Sequence, residues 1–244
     1  MPKVEGKGSA GTRFALRARM TTGEALIAAL LPRTRRRRWS RDASLASIAL
    51  GAAVGFLVLS RFLGGRRVSA FDRNVVNAMG RARYPVSNAL VHGLTFFGSG
   101  PGAGGLAATA GVMLLARRQP WLAAQVALGA LGGITAELGI KRFFRRERPT
   151  LLEHMEAVSS TSFPSGHATA AASIYLTMAF VAARRARHPG LLLAGAGALA
   201  ASVGASRVYL GVHWPTDVVS GLAIGTAWAC GTEAILGASA LAAG

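Results

Sequence analysis

The stretch HATAAASIYLTMAFVAA, residues 167–183, contains no Asp, Glu, Lys or Arg and has about the length needed to cross a bilayer. Five further stretches along the chain contain at most one charged residue each, and we predict a membrane span at every one: Ala43 to Ser60, Gly102 to Ala116, Trp121 to Ile140, Gly190 to Ala205 and Val218 to about Leu236. The apolar stretch from Val86 to Phe97 is shorter and contains His92, so we expect a half-helix or re-entrant segment there. The sequence therefore predicts an all-α fold, an integral membrane helical bundle with about six transmembrane helices.

The composition favours the same class of protein. Of the 244 residues, 51% are apolar and 16% are charged, and the net charge is +18. A soluble domain has roughly 25% charged residues, and a nucleic-acid-binding protein would spread its Lys and Arg along amphipathic elements. Long uncharged windows exclude a disordered chain and argue against a nucleic-acid partner. The single cysteine, Cys230, lies in an apolar run and cannot form an internal disulfide.

The basic residues divide the chain into two predicted regions. Residues 1–42 form a basic segment that we expect to be cytoplasmic and either disordered or lying on anionic headgroups, with Thr21 and Glu24 at capping-box spacing. Residues 43–238 form the membrane domain. With the N-terminal segment inside, 16 basic residues lie on the inner side and 12 on the outer side, so both termini are predicted to be cytoplasmic.

Three motifs then fall at the outer ends of the predicted spans: Lys141-x6-Arg148-Pro149, Pro164-Ser165-Gly166-His167 and Ser206-Arg207-x5-His213-x3-Asp217. Their three cations suit the oxygens of a phosphoryl group, and a helix that begins at Ser165 and Gly166 would direct backbone N–H groups at the same anion. A carboxylate at the position of Asp217 can hold one nitrogen of His213 and leave the other free as a nucleophile. His167, at a helix start, is placed to act as a general acid.

These motifs resemble the three-part signature of the type 2 phosphatidic acid phosphatase family, which includes bacterial lipid phosphatases and shares its site with vanadium haloperoxidases. All eleven signature positions are present, and the resemblance extends from about Val68 to Ala229 and includes Phe71 and Asp72. It implies a metal-independent phosphatase without a cofactor, in which His213 forms a phosphohistidine and His167 is the general acid. Lys141, Arg148, Ser165, Gly166 and Arg207 would bind the phosphate, Asp217 would assist His213, and Pro149, Pro164 and Ser206 would support the site.

Several other polar residues lie outside these motifs. Glu137 precedes Lys141 by one helical turn and would either pair with it or pack in neutral form, and Glu233 is also costly within a span. Arg142, Arg145 and Arg146 are expected to flank the membrane with their charged ends in the headgroup region. His92, His154 and His188 have no partner motif, and no His, Cys, Asp or Glu set has the spacing of a metal site.

The substrate and assembly are less determined by the motifs. Undecaprenyl pyrophosphate is slightly favoured, and lipid A, phosphatidic acid and phosphatidylglycerol phosphate are the alternatives, because the signature recognises only their shared phosphate. A soluble vanadate-dependent haloperoxidase and a basic membrane-binding scaffold with a decayed site are the other classes considered. We predict a bacterial plasma membrane protein whose site faces the extracytoplasmic side, and the oligomeric state stays open.

Overall fold

A computed structural model of the chain describes residues 33–63 and 68–242. The chain divides into two compact units, Met1–Ser44 and Leu45–Gly244, and the candidate site lies within the second. Most of the predicted interfacial segment, including Thr21 and Glu24, lies outside the described residues. The first described helix, α1, spans Arg33–Leu63 and so begins ten residues before the predicted span at Ala43.

The second unit is built from helices joined by short connections, with one long loop at residues 142–165, and the described residues contain no strand. After α1 the helices are α2 (Ala70–Arg81), α3 (Pro85–Phe96), α4 (Gly105–Ala116), α5 (Pro120–Lys141), α6 (Gly166–Ala183), α7 (Pro189–Tyr209) and α8 (Pro215–Ala242). A single π-helical turn at Gly100–Gly104 precedes α4. The short helix α3 occupies the stretch for which a half-helix was expected.

Four helices in the described part of the chain are long and apolar enough to cross a membrane: Pro120–Lys141, Gly166–Ala183, Pro189–Tyr209 and Pro215–Gly237. The two other predicted spans correspond to shorter apolar helical segments, Ala43–Val58 and Gly100–Ala116. The all-α membrane bundle is therefore confirmed, with four helices long enough to span a membrane and two shorter apolar segments where about six spans were predicted.

Proline and a capping box define several helix starts. Pro85, Pro120, Pro189 and Pro215 each occupy the first position of a helix, where the missing N–H has no helical partner to lose and the fixed φ suits the helix. At the start of α2, the Asp72 N–H donates to Ser69 Oγ at 3.0 Å, while the Ser69 N–H donates to Asp72 Oδ2 at 3.3 Å. This capping box fixes the position of Asp72, whose side chain is buried.

Helix α6 lies at the centre of the bundle and packs against α5, α7 and α8. Small residues allow the close approach: a Cβ at Gly133 of α5 would lie 2.2 Å from Ser173 Oγ, and one at Gly225 of α8 would lie 2.5 Å from the Thr169 carbonyl oxygen. On α8, the Trp228 indole N–H donates to the Leu128 carbonyl of α5 at 2.8 Å. Close packing of α5, α7 and α8 around α6 brings the three motif-bearing segments to one end of the bundle.

At the opposite end, three buried polar side chains link α5, α6 and α8. Arg184 Nη2 donates to Gln125 Oε1 at 2.7 Å and to Glu233 Oε2 at 2.8 Å, and Gln125 Nε2 donates to the same Glu233 oxygen at 2.5 Å. Glu233, which the sequence marked as costly within a span, is therefore paired with a cation from the end of α6. We refer to Gln125, Arg184 and Glu233 as the distal clamp.

Candidate active site

His213 lies in the turn between α7 and α8, and its side chain is buried. Its Nε2 is 3.3 Å from Arg148 Nη1. Because a guanidinium can only donate, Nε2 is the acceptor in this contact and the proton resides on Nδ1. Burial lowers the pKa of His213 to about 4, the neighbouring Arg148 and Arg207 act in the same direction, and Asp217 opposes them. The imidazole is thus neutral at pH 7, with a lone pair on Nε2.

Asp217, in the first turn of α8, lies behind His213. Its Oδ2 is 3.6 Å from His213 Nδ1, which is longer than a hydrogen bond, so the carboxylate faces the imidazole without the direct bond that the motif spacing suggested. That oxygen accepts hydrogen bonds from Ser162 Oγ at 2.5 Å and the Trp214 N–H at 2.9 Å. These two donors orient the carboxylate towards the ring.

The position of Arg146 differs from the one predicted from the sequence. It was expected to flank the membrane, but its side chain is buried and forms ion pairs with two carboxylates, Asp217 at 2.5 Å and Asp72 at 2.8 Å. Its guanidinium also lies 5.8 Å from the centre of the Trp214 ring. The sequence placed Asp72 within the family resemblance but gave it no role, because its partners are distant in the chain.

Arg148 is held in place by backbone carbonyls. Its Nε donates to the Ser160 carbonyl at 2.9 Å and its Nη1 to the Val212 carbonyl at 2.5 Å, in addition to the contact with His213. Burial and the nearby Arg207 lower the pKa of Arg148, but a guanidinium remains charged at any physiological pH. The result is a fixed cation directly beside the candidate nucleophile.

Arg207, near the end of α7, is also buried. Its Nη1 donates to Thr95 Oγ1 at 2.7 Å and to Glu156 Oε2 at 2.6 Å, and its buried Nε has no hydrogen-bond partner in the described part of the chain. Glu156 in turn lies 3.8 Å from His92 Nδ1. The sequence predicted Arg207 as a phosphate ligand but not the carboxylate that contacts it.

The second motif forms the start of α6. The Ser165 N–H donates to the Asp217 carbonyl oxygen at 3.1 Å, and the buried Ser165 Oγ has no hydrogen-bond partner among the described residues. His167, in the first turn of the helix, is close enough to Lys141, Arg148, Arg207 and His213 for their charges to act on its ring. The first motif, the start of α6 and the α7–α8 turn are thereby brought together at one site.

Glu137 connects this helix start to Lys141. Its Oε1 is 2.7 Å from Lys141 Nζ, so the proposed pairing is present. A Cβ on Gly166 would lie 2.9 Å from the same oxygen. The absence of a side chain at Gly166 therefore leaves room for the carboxylate that orients Lys141.

The three supporting residues shape the backbone around these groups. The Pro149 carbonyl is 2.7 Å from His154 Nε2, the Phe163–Pro164 peptide bond is cis, and Ser206 Oγ donates to the Val203 carbonyl at 2.6 Å. Beyond Arg148, a cavity of about 610 Å³ is bordered by Arg73, Arg145, Arg148 and Trp214 among other residues. In the described part of the chain, no group of three or more His, Cys, Asp or Glu side chains could hold a metal ion.

Comparison with known proteins agrees with these motifs. Residues 121–239 match the family described as the PAP2 superfamily. Phosphatidylglycerophosphatase B of Bacillus subtilis (strain 168) is 30% identical over 174 residues, which cover 70% of this chain and 85% of that protein. The crystal structure of a transmembrane PAP2 type phosphatidylglycerolphosphate phosphatase from Bacillus subtilis superposes with a TM-score of 0.71 at 27% identity, covering 77% of this chain and 94% of that one.

Two further relatives match shorter parts of the chain. Decaprenylphosphoryl-5-phosphoribose phosphatase of Mycolicibacterium smegmatis is 38% identical over 119 residues, covering 48% of this chain and 60% of that protein. YbjG of Escherichia coli (strain K12), to which an undecaprenyl-diphosphatase activity is provisionally ascribed, is 33% identical over 116 residues, covering 46% and 54% of the two chains.

Proposed function

The chain belongs to the PAP2 superfamily and is a membrane lipid phosphatase, and we propose that it hydrolyses its substrate through a phosphohistidine on His213. The observation that carries this proposal is the 3.3 Å contact between His213 Nε2 and Arg148 Nη1. A lone pair and a fixed cation meet at one point, so a phosphoryl oxygen bound by Arg148 would bring phosphorus next to the nucleophile.

The reaction would proceed in two displacements. Nε2 of His213 attacks the terminal phosphorus, and the bond from this phosphorus to its bridging oxygen breaks. That oxygen belongs to the lipid alcohol in a phosphomonoester and to the lipid phosphate in a pyrophosphate, and His167 gives its proton to it. His167 then takes a proton from water, the water oxygen attacks the phosphohistidine, and inorganic phosphate leaves with His213 regenerated. Lys141, Arg148, Arg207 and the N–H groups at the start of α6 stabilise the charge on the phosphoryl oxygens in both steps.

For the substrate, we propose a polyprenyl phosphate or pyrophosphate, with undecaprenyl pyrophosphate favoured. The names of the Mycolicibacterium and Escherichia relatives support this class, whereas the Bacillus relative, which matches over more of its length, supports phosphatidylglycerol phosphate as the alternative. Lipid A and phosphatidic acid carry the same phosphate chemistry. The excess of basic residues before the first span supports an extracytoplasmic site with cytoplasmic termini.

The test is phosphate release by purified protein in detergent across these lipids and a soluble phosphomonoester. We expect faster release from the lipid substrates, with undecaprenyl pyrophosphate ahead. His213→Ala should abolish release and the acid-labile, base-stable phosphoenzyme that rapid quenching traps, while His188→Ala, an exposed histidine at the start of α7, should change neither. Equal rates on lipid and soluble substrates would contradict the lipid preference, and turnover without a trapped phosphohistidine would contradict the mechanism.

A further inference from the structure

A buried charge network lies behind His213, and it includes two residues, Asp72 and Arg146, to which neither the proposed function nor the signature motifs give a role. Arg146 Nη1 donates to Asp217 Oδ1 at 2.5 Å, and Arg146 Nη2 donates to Asp72 Oδ2 at 2.8 Å. The Thr216 N–H and hydroxyl lie 3.1 and 2.9 Å from Asp72 Oδ1. Asp72 and Asp217 are fully buried and Arg146 is nearly so. We call Asp72, Arg146 and Asp217 the carboxylate relay.

The relay has one cation and two carboxylates and therefore a net charge of −1. Buried charges are costly unless they are paired, and a single Arg–Asp pair would satisfy Asp217 with less desolvation than three ions require. The third ion, Asp72, comes from a separate helix, and its capping box and two Thr216 contacts hold it against Arg146. An arrangement this costly needs an electrostatic reason.

The chemistry of His213 supplies that reason. When Nε2 bonds to phosphorus while Nδ1 keeps its proton, the ring gains positive charge, which a carboxylate on the Nδ1 side stabilises. Asp217 lies on that side at 3.6 Å, but Arg146 alone would cancel most of its field at the ring. Asp72 offsets Arg146 and so restores the negative potential that Asp217 exerts.

We infer that Asp72 is a positioning residue for the phosphoryl transfer, acting on His213 through Arg146 and Asp217. This inference rests on the proposed function, because it gives the network a role only if His213 is the nucleophile. In the described part of the chain, the other ionisable groups close to His213 are Arg148, at the opposite nitrogen, Arg207 and His167. Arg146 faces Asp72, Asp217 and Thr216, with the Trp214 ring on one side.

The test compares Asp72→Asn, Arg146→Met and the double variant. The net charge of the relay changes from −1 to 0 in Asp72→Asn and to −2 in Arg146→Met, and it returns to −1 in the double variant. Ser162 and the Trp214 N–H keep Asp217 facing the ring in all three. We expect the single-turnover rate of phosphoenzyme formation to fall about tenfold in Asp72→Asn, with KM unchanged, and to recover in the double variant.

The pH profile distinguishes this electrostatic role from a purely structural one. The acid limb of kcat/KM should move to lower pH in Asp72→Asn and to higher pH in Arg146→Met, by about one unit each, because the charge near the ring changes in opposite directions. Glu153→Gln, which removes an exposed carboxylate outside the relay, is the matched control and should change neither rate nor profile. Thr216→Val is a milder variant that weakens the hold on Asp72, and it should give a smaller rate loss in the same direction.

Several outcomes would overturn the inference. The relay does not set the potential at His213 if the rate losses of the two single variants multiply in the double variant. The same conclusion follows if the acid limb shifts in the same direction in Asp72→Asn and Arg146→Met, or stays unchanged in both. A lower thermal midpoint for Asp72→Asn with unchanged kinetics of the folded enzyme would give Asp72 a structural role only. If the natural chain forms no phosphohistidine at all, the proposed function fails first.

Discussion

Gly166→Ala is the substitution whose effect follows most directly from the geometry of the site. The added Cβ would lie 2.9 Å from Glu137 Oε1 and 3.2 Å from Glu137 Cδ, both shorter than an ordinary van der Waals contact. The carboxylate must therefore move away from the start of α6. Since the same oxygen is 2.7 Å from Lys141 Nζ, the movement loosens the ion pair that orients Lys141.

The size of the effect is set by the burial of that pair. The side chains of Lys141 and Glu137 are 15% and 9% exposed, so the pair is intermediate between an exposed and a fully buried ion pair. Exposed pairs contribute up to about 1 kcal/mol, and disruption of a buried pair costs about 3 kcal/mol or more. We therefore expect Gly166→Ala to lose about 1–2 kcal/mol of transition-state stabilisation, or roughly five- to thirtyfold in kcat/KM.

The assay is phosphate release by the purified enzyme in detergent, in the natural chain and in a Glu137→Ala background. Removing the Glu137 carboxylate also removes the collision, so Gly166→Ala should have a much smaller effect in that background. Gly139→Ala, on the same helix as Glu137, is the matched control. A Cβ at Gly139 meets nothing within 4 Å, so this variant should leave kcat/KM unchanged. An equal loss in both backgrounds would refute the argument that Gly166 acts through Glu137.

Three further predictions address the metal, the nucleophile and the distal clamp. Treatment with a chelator should leave phosphate release unchanged, and loss of activity that added divalent cation restores would contradict metal-independent catalysis. Burial lowers the pKa of His213 to about 4, below its ordinary value near 6.5, so the unfolded chain binds the proton first as the pH falls. Between pH 6.5 and 4 the free energy of unfolding should therefore fall by about 3 kcal/mol more in the natural chain than in His213→Asn. Thermal midpoints of the two proteins that run parallel across this range would contradict this expectation. Arg184→Gln should lower the thermal midpoint, because it leaves the buried Glu233 without this cation at a cost of about 3 kcal/mol. Adding Glu233→Gln should recover part of the lost stability. A larger loss in the double variant would contradict the pairing.

The fold and the convergence of the three motifs follow from the sequence for a physical reason. Stretches with at most one charged residue predict the four longer helices, and the alternating direction of successive helices places the motif-bearing ends of α5, α6 and α7 at one end of the bundle. The pairing of Glu137 with Lys141 was also open to prediction, because residues four apart on a helix are neighbours. These inferences depend on periodicity and local spacing, which a sequence contains.

Contacts between distant segments were not accessible in the same way. In the run Arg145-Arg146-Glu147-Arg148, the arginines have similar neighbours in the sequence, yet Arg145 is exposed, Arg146 is buried between two carboxylates and Arg148 contacts His213. The partner Asp72 is 74 positions away from Arg146. The sequence showed that Asp72 lies in the stretch that resembles the family, but nothing near it in the sequence indicated that Arg146 is its partner.

The environments of the site cations also indicate where the phosphoryl group would bind most strongly. Lys141 contacts the carboxylate of Glu137, and Arg207 contacts that of Glu156, so each shares its charge with an anion before substrate arrives. Arg148 contacts backbone carbonyls, Ser160 and His213, and no carboxylate among the described residues. Because Arg148 contacts no carboxylate among the described residues, we expect it to attract a phosphoryl oxygen most strongly of the three, and its position at Nε2 would direct phosphorus to His213.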